Sequence, residues 1–338
     1  MTDPRTALTT VLLDVDTGID DALAIFTAAL SNAIDLVGCT VVWGNVDVEQ
    51  GARNTSTVLQ LASHGDVPIA MGAAGPRDGA EAVFSPQVHG ADGLGGCADA
   101  AHVPVLSRGR SAPGAESPAA SESAVELMLR LSHEHAGALE IVAVGPLTNL
   151  AAALDADPTL PQRIRQVTVM GGAALAPGNV SETAEANIWH DPEAAQVVFD
   201  APWELTMVGL DVTMTSLITD EHRARLAAGG AVGRFSSEIL DFYLDFYEQY
   251  TGERASGNHD ALALAVATGL VQTTLSPIVD VTVDCSDGPA RGRTVTTLEG
   301  EWGQWPEREG ARHRVVMEVE PGFEERMVDL LASARPEA

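Results

Sequence analysis

Short, continuous apolar runs alternate along the chain with longer segments of helical periodicity. The runs TVLLDV, IDLVGCTVVW and PIAMG are separated by DDALAIFTAAL and VEQGARNTSTVLQLASH. A strand that is apolar on both sides is buried on both sides, as in a parallel sheet that is covered by crossover helices. The alternation therefore predicts an α/β fold, with a doubly wound, mostly parallel open sheet flanked by helices around a Rossmann-like core.

The alternation is interrupted between residues 73 and 121 and then resumes. Strands are predicted at ALEIVAVG, IRQVTVMGG and ELTMVGLDV, residues 216 to 250 look helical, and strand-like pieces lead to a final helix after residue 272. Within the interruption, a segment rich in Ser, Ala, Pro and Gly predicts a flexible inserted loop around residues 104–121. No linker divides the chain, so we expect one domain over residues 1–338.

The charge balance excludes two classes of partner. The formal net charge is -29, and all 19 basic residues are arginine, since the chain contains no lysine. Nucleic acid and anionic membranes need a basic surface, so we expect neither as a partner. The three cysteines have no paired spacing, and the N-terminal residues lack the pattern of a signal peptide. These features favour a cytoplasmic protein.

Polar residues gather where the predicted strands end. The first strand runs into LLDVDTGIDD, which places Asp14, Asp16, Asp20 and Asp21 within eight positions, and Asn45 follows the second strand. Further along, the fifth strand leads to GNVSETAEANIWHD, and GNHDALALAV begins a late helix. Open α/β sheets bind ligands beyond the carboxyl ends of their strands. We therefore expect these groups to form one site, although Asp20 and Asp191 could serve only as helix caps.

So many carboxylates in one turn repel one another unless a positive charge lies among them. Neither lysine nor arginine occurs in this stretch, so a hard divalent cation is the simplest counter-charge. Calcium accepts six to eight oxygen ligands and suits a site built from Asp16, Asp21 and Asp260. Magnesium is the less favoured alternative. The spacing does not fit an EF-hand loop.

Three functions remain open on these residues. A strand that ends in D-x-D-T-G is similar to haloacid dehalogenase-type phosphohydrolases, which use Mg²⁺, but that chemistry needs a lysine that this chain lacks. A non-catalytic, calcium-dependent nucleoside-binding protein is the second possibility, because it could use the same carboxylates and asparagines to hold the hydroxyl groups of a sugar. The third function, an enzyme, requires a general base on one side of the pocket and an acid on the other.

The fullest resemblance is to the inosine–uridine preferring nucleoside hydrolase family. LLDVDTGIDDALAI, VVWGNVDVEQGARN, HGADGLGG, AVGPLTNLA, MGGAALAPGNVSETAEANIWHDPEAA and GNHDALALA occur in the order of that family. The resemblance implies hydrolysis of the N-glycosidic bond of ribonucleosides to ribose and a free base. It also implies small-molecule substrates, one Ca²⁺ per chain, and a homodimer or homotetramer.

The resemblance assigns roles around the sugar. Asp16 would be a metal ligand and the general base that takes a proton from the attacking water, and Asp21, Asp260 and the main-chain carbonyl of Val144 would complete the metal ligands. The residues that would hydrogen-bond the ribose hydroxyls are Asp20, Asn45, Asn179, Glu185 and Asn187. Asp14 would only support the loop.

Other residues would act on the base. By resemblance, His259 is the acid that protonates the leaving base, and His89 is a second histidine of the site. Tyr243 and Tyr247 lie one helical turn apart, so they share a face of a predicted helix and would flank the base. We expect Phe242 and Phe246 to pack inward; core packing of the tyrosines is the alternative. The tryptophans do not clearly occupy base-stacking positions, so the sequence leaves base preference open.

Overall fold

The computed structural model describes residues 8–98, 122–298 and 310–334. Its strands are β1 (Thr9–Val15), β2 (Ile34–Val41), β3 (Ile69–Met71), β4 (Leu139–Ala143), β5 (Ile164–Met170), β6 (Leu205–Val208), β7 (Leu217–Thr219), β8 (Ala255–Gly257), β9 (Thr273–Leu275), β10 (Ile278–Val279), β11 (Val281–Val283), β12 (Thr294–Thr296), β13 (His313–Val315) and β14 (Glu318–Val319). Its helices are α1 (Ile19–Leu30), α2 (Val48–Leu61), α3 (Pro86–His89), α4 (Ala124–Glu134), α5 (Thr148–Ala156), α6 (Ala186–His190), α7 (Pro192–Asp200), α8 (Leu210–Thr213), α9 (Asp220–Ala227), α10 (Ala231–Thr251), α11 (Asp260–Thr268) and α12 (Phe323–Ser333).

The main sheet confirms the predicted fold. Among the described residues it has eight strands in the order β10-β13-β6-β5-β4-β1-β2-β3. The strands from β13 to β3 are parallel, and only β10 at the edge is antiparallel. The run 3-2-1-4-5-6 is the doubly wound order, whose direction reverses between β1 and β4. A ligand crevice is therefore expected where these two strands end.

The middle of the central strand β1 is apolar because helices cover both faces of the sheet. Val11, Leu13 and Val15 have no exposed surface and pack in one core cluster, together with residues of α1, α10, α11 and α12. Leu12, equally buried, points the other way into a second cluster, which contains residues of α4, α5 and α7. The alternation follows from the period of two along a strand. It explains why the sequence shows a continuous apolar run.

The prediction of helix over residues 216–250 is partly wrong. The segment begins with strand β7, which pairs with β8, and helices α9 and α10 are separated at Ala228–Gly230. A Cβ on Gly229 would lie 2.6 Å from the carbonyl oxygen of Ala332, so the chain can pass the end of α12 only at a glycine.

The predicted loop at 104–121 lies outside the described residues, and the single domain stays a prediction.

In the three described ranges, no helix combines the length and the hydropathy that a bilayer crossing requires.

Candidate active site

A cavity of about 530 Å³ opens where β1, β4 and β5 end, at the point where the strand order reverses. Eleven of the predicted site residues line it: Asp20, Asn45, His89, Val144, Asn179, Glu185, Asn187, Tyr243, Tyr247, His259 and Asp260. The two others, Asp16 and Asp21, are buried beside it and are tied to the lining residue Asn45 by hydrogen bonds. The structure thus brings together every residue that the sequence proposed for the site.

One side of the cavity carries a cluster of acidic residues. Asp20, Asp21 and Asp260 each offer an oxygen atom, and these three atoms lie within 4.8 Å of one another. Asp21 is in the first turn of α1, where its carboxylate accepts hydrogen bonds from the backbone N–H groups of Gly18 at 2.8 Å and Asp16 at 3.1 Å. The start of α1 therefore fixes the position of the cluster, in the manner of a helix cap.

Asp16 lies next to this cluster, and only one of its two carboxylate oxygens has a hydrogen-bond partner among the described residues. Its Oδ2 atom accepts a hydrogen bond from the backbone N–H of Asn45 at 2.8 Å, whereas Oδ1 is buried without a partner among the described residues. A Cβ on Gly44 would lie 2.1 Å from Oδ2, so the approach of Asn45 depends on the glycine before it. An unpartnered buried carboxylate oxygen is costly unless a cation or a proton reaches it.

Burial dominates the acidity of these carboxyl groups. It raises the pKa of Asp21 to about 7, helped by the charge of Asp20. It also raises the pKa values of Asp16 and Asp260 well above the usual range, and the neighbouring aspartates raise them further. A divalent cation among these groups would reverse the repulsion, and the oxygen donors are those that Ca²⁺ or Mg²⁺ takes.

The close oxygen triad differs by one residue from the three carboxylates that were predicted as metal ligands. Asp20 belongs to it, whereas the sequence assigned Asp20 to the ribose and gave the metal to Asp16. The carbonyl oxygen of Val144, another predicted ligand, accepts a hydrogen bond from Asn187 Nδ2 at 2.8 Å. A carbonyl oxygen has a second lone pair, so this hydrogen bond leaves Val144 able to act as a ligand.

Asp14 is buried completely and does not reach the cavity. Its Oδ1 atom accepts hydrogen bonds from Thr40 Oγ1 at 2.7 Å and Asn149 Nδ2 at 2.9 Å, and burial raises its pKa to about 7. Asn149 in turn accepts a hydrogen bond from the backbone N–H of Ala73. Asp14 therefore ties β1 to β2, to α5 and, through Asn149, to the chain after β3, whereas support of the loop after β1 stays a prediction.

Glu185, Asn179 and Asn187 line the cavity at and before helix α6. Glu185 is the N-cap of α6 and accepts hydrogen bonds from the backbone N–H groups of Asn187, Gly172 and Ile188. Asn187 donates to main-chain carbonyls, so its side-chain oxygen stays available. The Oδ1 atom of Asn179 accepts from the backbone N–H of Ala186 at 2.9 Å, which leaves its Nδ2 available as a donor.

His259 and Tyr247 also line the cavity and form a hydrogen-bonded pair. The hydroxyl of Tyr247 lies 2.8 Å from His259 Nε2, and Oγ1 of Thr213 lies 2.8 Å from Nδ1. Burial lowers the pKa of His259, so the ring is neutral near pH 7. Both ring nitrogens of His259 therefore have partners within the protein, and the ring also lines the cavity.

His89 approaches the start of α1. Its Nδ1 atom accepts a hydrogen bond from the backbone N–H of Ile19 at 3.1 Å and lies 3.8 Å from Asp20 Oδ1. A nitrogen that accepts from a backbone N–H carries no proton, so neutral His89 holds its proton on Nε2. Burial lowers the pKa of His89, which keeps the ring in this neutral form.

The aromatic residues of α10 depart from one expectation. Tyr243 and Tyr247 line the cavity and are almost fully buried, and Tyr243 donates a hydrogen bond to Asp20 Oδ2 at 3.1 Å. Phe242 and Phe246 were expected to pack inward, but both are only half-buried and Phe246 also lines the cavity. The face of α10 that lines the cavity therefore includes Phe246 as well as the two tyrosines.

Some site residues escaped the sequence analysis. Thr213 carries no sign of its contact with His259, since it lies 46 residues away in an apolar stretch, and the apolar lining residues Met170 and Met214 resemble ordinary core residues. The tryptophans that the structure describes are Trp43, Trp189 and Trp203, and none of them lines the cavity.

Known proteins share both the sequence and the fold. A family model described as "Inosine-uridine preferring nucleoside hydrolase" matches residues 11–322. A probable uridine nucleosidase 1 of Oryza sativa is 33% identical over 75% of this chain and 74% of its own. The pyrimidine-specific ribonucleoside hydrolase RihA of Escherichia coli is 37% identical over 75% of this chain and 78% of its own.

Two solved structures resemble the whole described fold. A plant nucleoside hydrolase, the PpNRh1 enzyme, has a TM-score of 0.81 at 30% identity and covers 96% of this chain and 98% of its own. A purine-preferring ribonucleoside hydrolase from Gardnerella vaginalis has a TM-score of 0.80 at 31% identity, over 96% of this chain and 99% of its own.

Proposed function

The chain belongs to the inosine-uridine preferring nucleoside hydrolase family and hydrolyses ribonucleosides, and we propose that it does so with Asp16 as general base, Ca²⁺ as cofactor and His259 as the source of the leaving-group proton. One observation carries this proposal. Asp20 and Asp260 of the acidic cluster line the same cavity as the Tyr247–His259 pair, and Asp16 lies buried beside it, so a base and an acid can act on one substrate.

The proposed metal ligands are Asp16, Asp21, Asp260 and the carbonyl of Val144, with Asp20 close enough to join them. The unpartnered oxygens of Asp16 and Asp20 support this, because a buried carboxylate oxygen that lacks a hydrogen bond is stabilised by a cation or a proton, and here several such carboxylates lie together. Five oxygens with room for water suit Ca²⁺ better than the smaller, strictly octahedral Mg²⁺. When bound, the ion supplies a Lewis acid that lowers the pKa of water and orients hydroxyl groups.

Asp16 is suited to accept a proton. Its Oδ1 atom has no partner among the described residues, and burial raises its pKa above that of an exposed aspartate, so its affinity for a proton is higher. A general base works best when its pKa lies near the working pH. Asp16 would take the proton of the attacking water as the new C1′–O bond forms.

The remaining carboxylates would stabilise the sugar while its bond to the base breaks. Cleavage of a C1′–N bond passes through an oxocarbenium-like sugar with positive charge, which an anionic pocket stabilises. Asn45, Asn179, Glu185 and Asn187 would hydrogen-bond the ribose hydroxyls. A site built for these hydroxyls rejects a sugar that lacks one, because its buried polar groups are then left unpaired.

The leaving base would receive its proton from the Tyr247–His259 pair. The Tyr247 hydroxyl lines the cavity and lies 2.8 Å from His259 Nε2, so we propose that it passes its proton to the base as the C1′–N bond breaks and takes one from Nε2 of His259 in its protonated, imidazolium form. In that form Nδ1–H would donate to Thr213 Oγ1, so the ring that has given up its Nε2 proton is the neutral tautomer with the proton on Nδ1. His89, neutral with its proton on Nε2, would be a hydrogen-bond donor to substrate.

Family membership rejects both alternatives that the sequence left open. The chain is an enzyme, so it is not a non-catalytic nucleoside-binding protein, and it acts on ribonucleosides, so it is not a haloacid dehalogenase-like phosphohydrolase. Assembly into homodimers or homotetramers and a cytoplasmic location remain predictions.

The test is release of reducing sugar from inosine, uridine, cytidine and guanosine. We expect ribose release that is abolished by excess chelator and restored by Ca²⁺ more fully than by Mg²⁺. Full activity in excess chelator would remove the metal from the mechanism, and the panel would establish the base preference.

A further inference from the structure

Asp211 makes an unusual set of contacts near the site without entering it. One carboxylate oxygen accepts hydrogen bonds from the backbone N–H groups of Leu175 at 2.7 Å and Ala176 at 2.8 Å, and the other accepts from Ala174 at 2.7 Å. Three successive amides therefore point at one carboxylate. Hydrogen bonds to a charged acceptor are about twice as strong as neutral ones.

These amides belong to the loop that forms the ribose side of the cavity. Residues 176 to 180 line the cavity directly after the residues that Asp211 holds, and they include Asn179. Asn179 is in turn bonded to the N-terminal part of α6, which carries Glu185 and Asn187. The position of the loop thus sets where the proposed ribose contacts lie.

Asp211 belongs to the short helix α8, which also contacts His259 through Thr213. Helix α8 has the sequence Leu-Asp-Val-Thr: the backbone N–H of Leu210 donates to Gly172 at 2.9 Å, and Thr213 holds His259. A Cβ on Gly209, the residue before α8, would lie 2.6 Å from the carbonyl oxygen of Gly172, so the loop and α8 are in close contact. One turn of helix therefore contacts both the ribose side and the proton donor.

We infer that Asp211 is a positioning residue for the hydrolysis reaction: it holds the loop at Ala174–Ala176 so that Asn179 stays against the ribose. This inference rests on the proposed function, because it requires that Asn179 contacts the sugar. Asp211 touches no substrate and takes part in no proton transfer.

Two variants grade the loss of these contacts. Asp211→Ala removes all three hydrogen bonds, and Asp211→Asn retains one oxygen for two of them while its amide group opposes the third N–H. A displacement of about 1 Å costs about a hundredfold in rate, so we expect Asp211→Ala to lower kcat/KM about a hundredfold and Asp211→Asn about tenfold. Asp211→Asn keeps the side-chain volume, which protects the test if Asp211→Ala fails to fold.

A double-mutant cycle separates positioning from a general loss of structure. Because Asp211 acts through the loop that carries Asn179, the kcat/KM losses of Asp211→Asn and Asn179→Ala should not multiply in the double variant. We expect the second substitution to add less than about threefold, since residues that act together are not additive. Fully multiplicative losses would assign Asp211 a structural role only and overturn the inference.

Asp157→Ala is the matched control. Its carboxylate also accepts a hydrogen bond from a backbone N–H, that of Thr159 at 2.9 Å, but it lies before β5, at the opposite edge of the sheet. We expect a lower Tm with wild-type kcat/KM. If Asp211→Ala also kept the wild-type kcat/KM, the positioning role would be refuted. A wild-type protein that releases no ribose from any ribonucleoside would instead refute the proposed function, and the inference with it.

Discussion

The acidic cluster makes a prediction about stability that is independent of any activity assay. We consider Asp260→Asn, which removes one charge and keeps the shape of the side chain. The oxygens of Asp20, Asp21 and Asp260 lie within 4.8 Å of one another, so each ionised pair repels by about 3.5 kcal/mol or more at an effective dielectric constant of about 20. In protein freed of metal by a chelator, the substitution should therefore increase stability.

The sign depends on pH. Burial, followed by the charges of Asp20 and Asp21, raises the pKa of Asp260 in the folded protein well above 3.8. The folded protein therefore binds the proton more tightly than the unfolded chain, and this contribution to stability is lost as pH rises through the folded pKa. Wild-type protein avoids part of the repulsion by staying protonated, so we expect Asp260→Asn to gain about 2 to 4 kcal/mol at pH 8 and little at pH 5.

Calcium should reverse the order of stability. Binding to the folded state alone adds about 4 kcal/mol at a free ion concentration of about a thousand times Kd. Wild-type protein gains this contribution, whereas Asp260→Asn lacks a proposed ligand and should gain much less.

The assay is urea unfolding of both proteins at pH 5 and pH 8, each in chelator and in excess Ca²⁺. Asp35→Asn, which removes an exposed carboxylate from β2, is the control and should behave as wild type. If Asp260→Asn is no more stable than wild type in chelator at pH 8, the electrostatic reasoning is wrong.

Three further predictions concern the reaction and the packing of the site. His259→Ala should cut turnover of inosine by about a hundredfold or more, but barely affect a nitrophenyl riboside whose leaving group needs no proton; equal losses on both would remove the acid role. Uridine should be hydrolysed far faster than deoxyuridine because the ribose contacts are lost, and equal turnover would contradict the assignment of the hydroxyl-binding residues. Gly18→Ala should destabilise the protein by about 1 to 3 kcal/mol and lower activity, because its Cβ would lie 2.5 Å from His89 Nδ1 and 2.7 Å from Asn45 Nδ2. Thermal unfolding and ribose release measure both effects, and an unchanged Tm would show that the site can relax around the methyl group.

The sequence was sufficient to predict the sheet because its signal is local. The β1 run is apolar at every position from Val11 to Leu13, and a strand buried on both faces needs no further information to be recognised. The split between α9 and α10 was missed for the opposite reason. It depends on the close passage of Gly229 past Ala332, two residues about a hundred positions apart, which no periodicity reveals.

The same distinction applies to the site. Asp16, Asp21 and Asp260 were identifiable from the sequence because charged residues at the ends of a strand or helix stand out against apolar surroundings. Thr213 and Asp211 were not, since a threonine and an aspartate beside a short helix are ordinary in sequence. Their contacts with His259 and with the loop at Ala174–Ala176 arise only when β5, β6 and α11 are assembled.

The absence of lysine is consistent with the electrostatics of the site. A lysine beside Asp16 would satisfy its free oxygen and lower the cost of burial, but it would also occupy the place of a divalent cation and repel a sugar that becomes positive. The buried carboxylates are poorly compensated by the described side chains, with pKa values raised rather than lowered. A cluster that is unfavourable when empty is the one that gains most from a cation and from a transient positive charge. The stability lost at Asp260 in chelator and the rate gained on a ribosyl substrate should therefore have the same electrostatic origin.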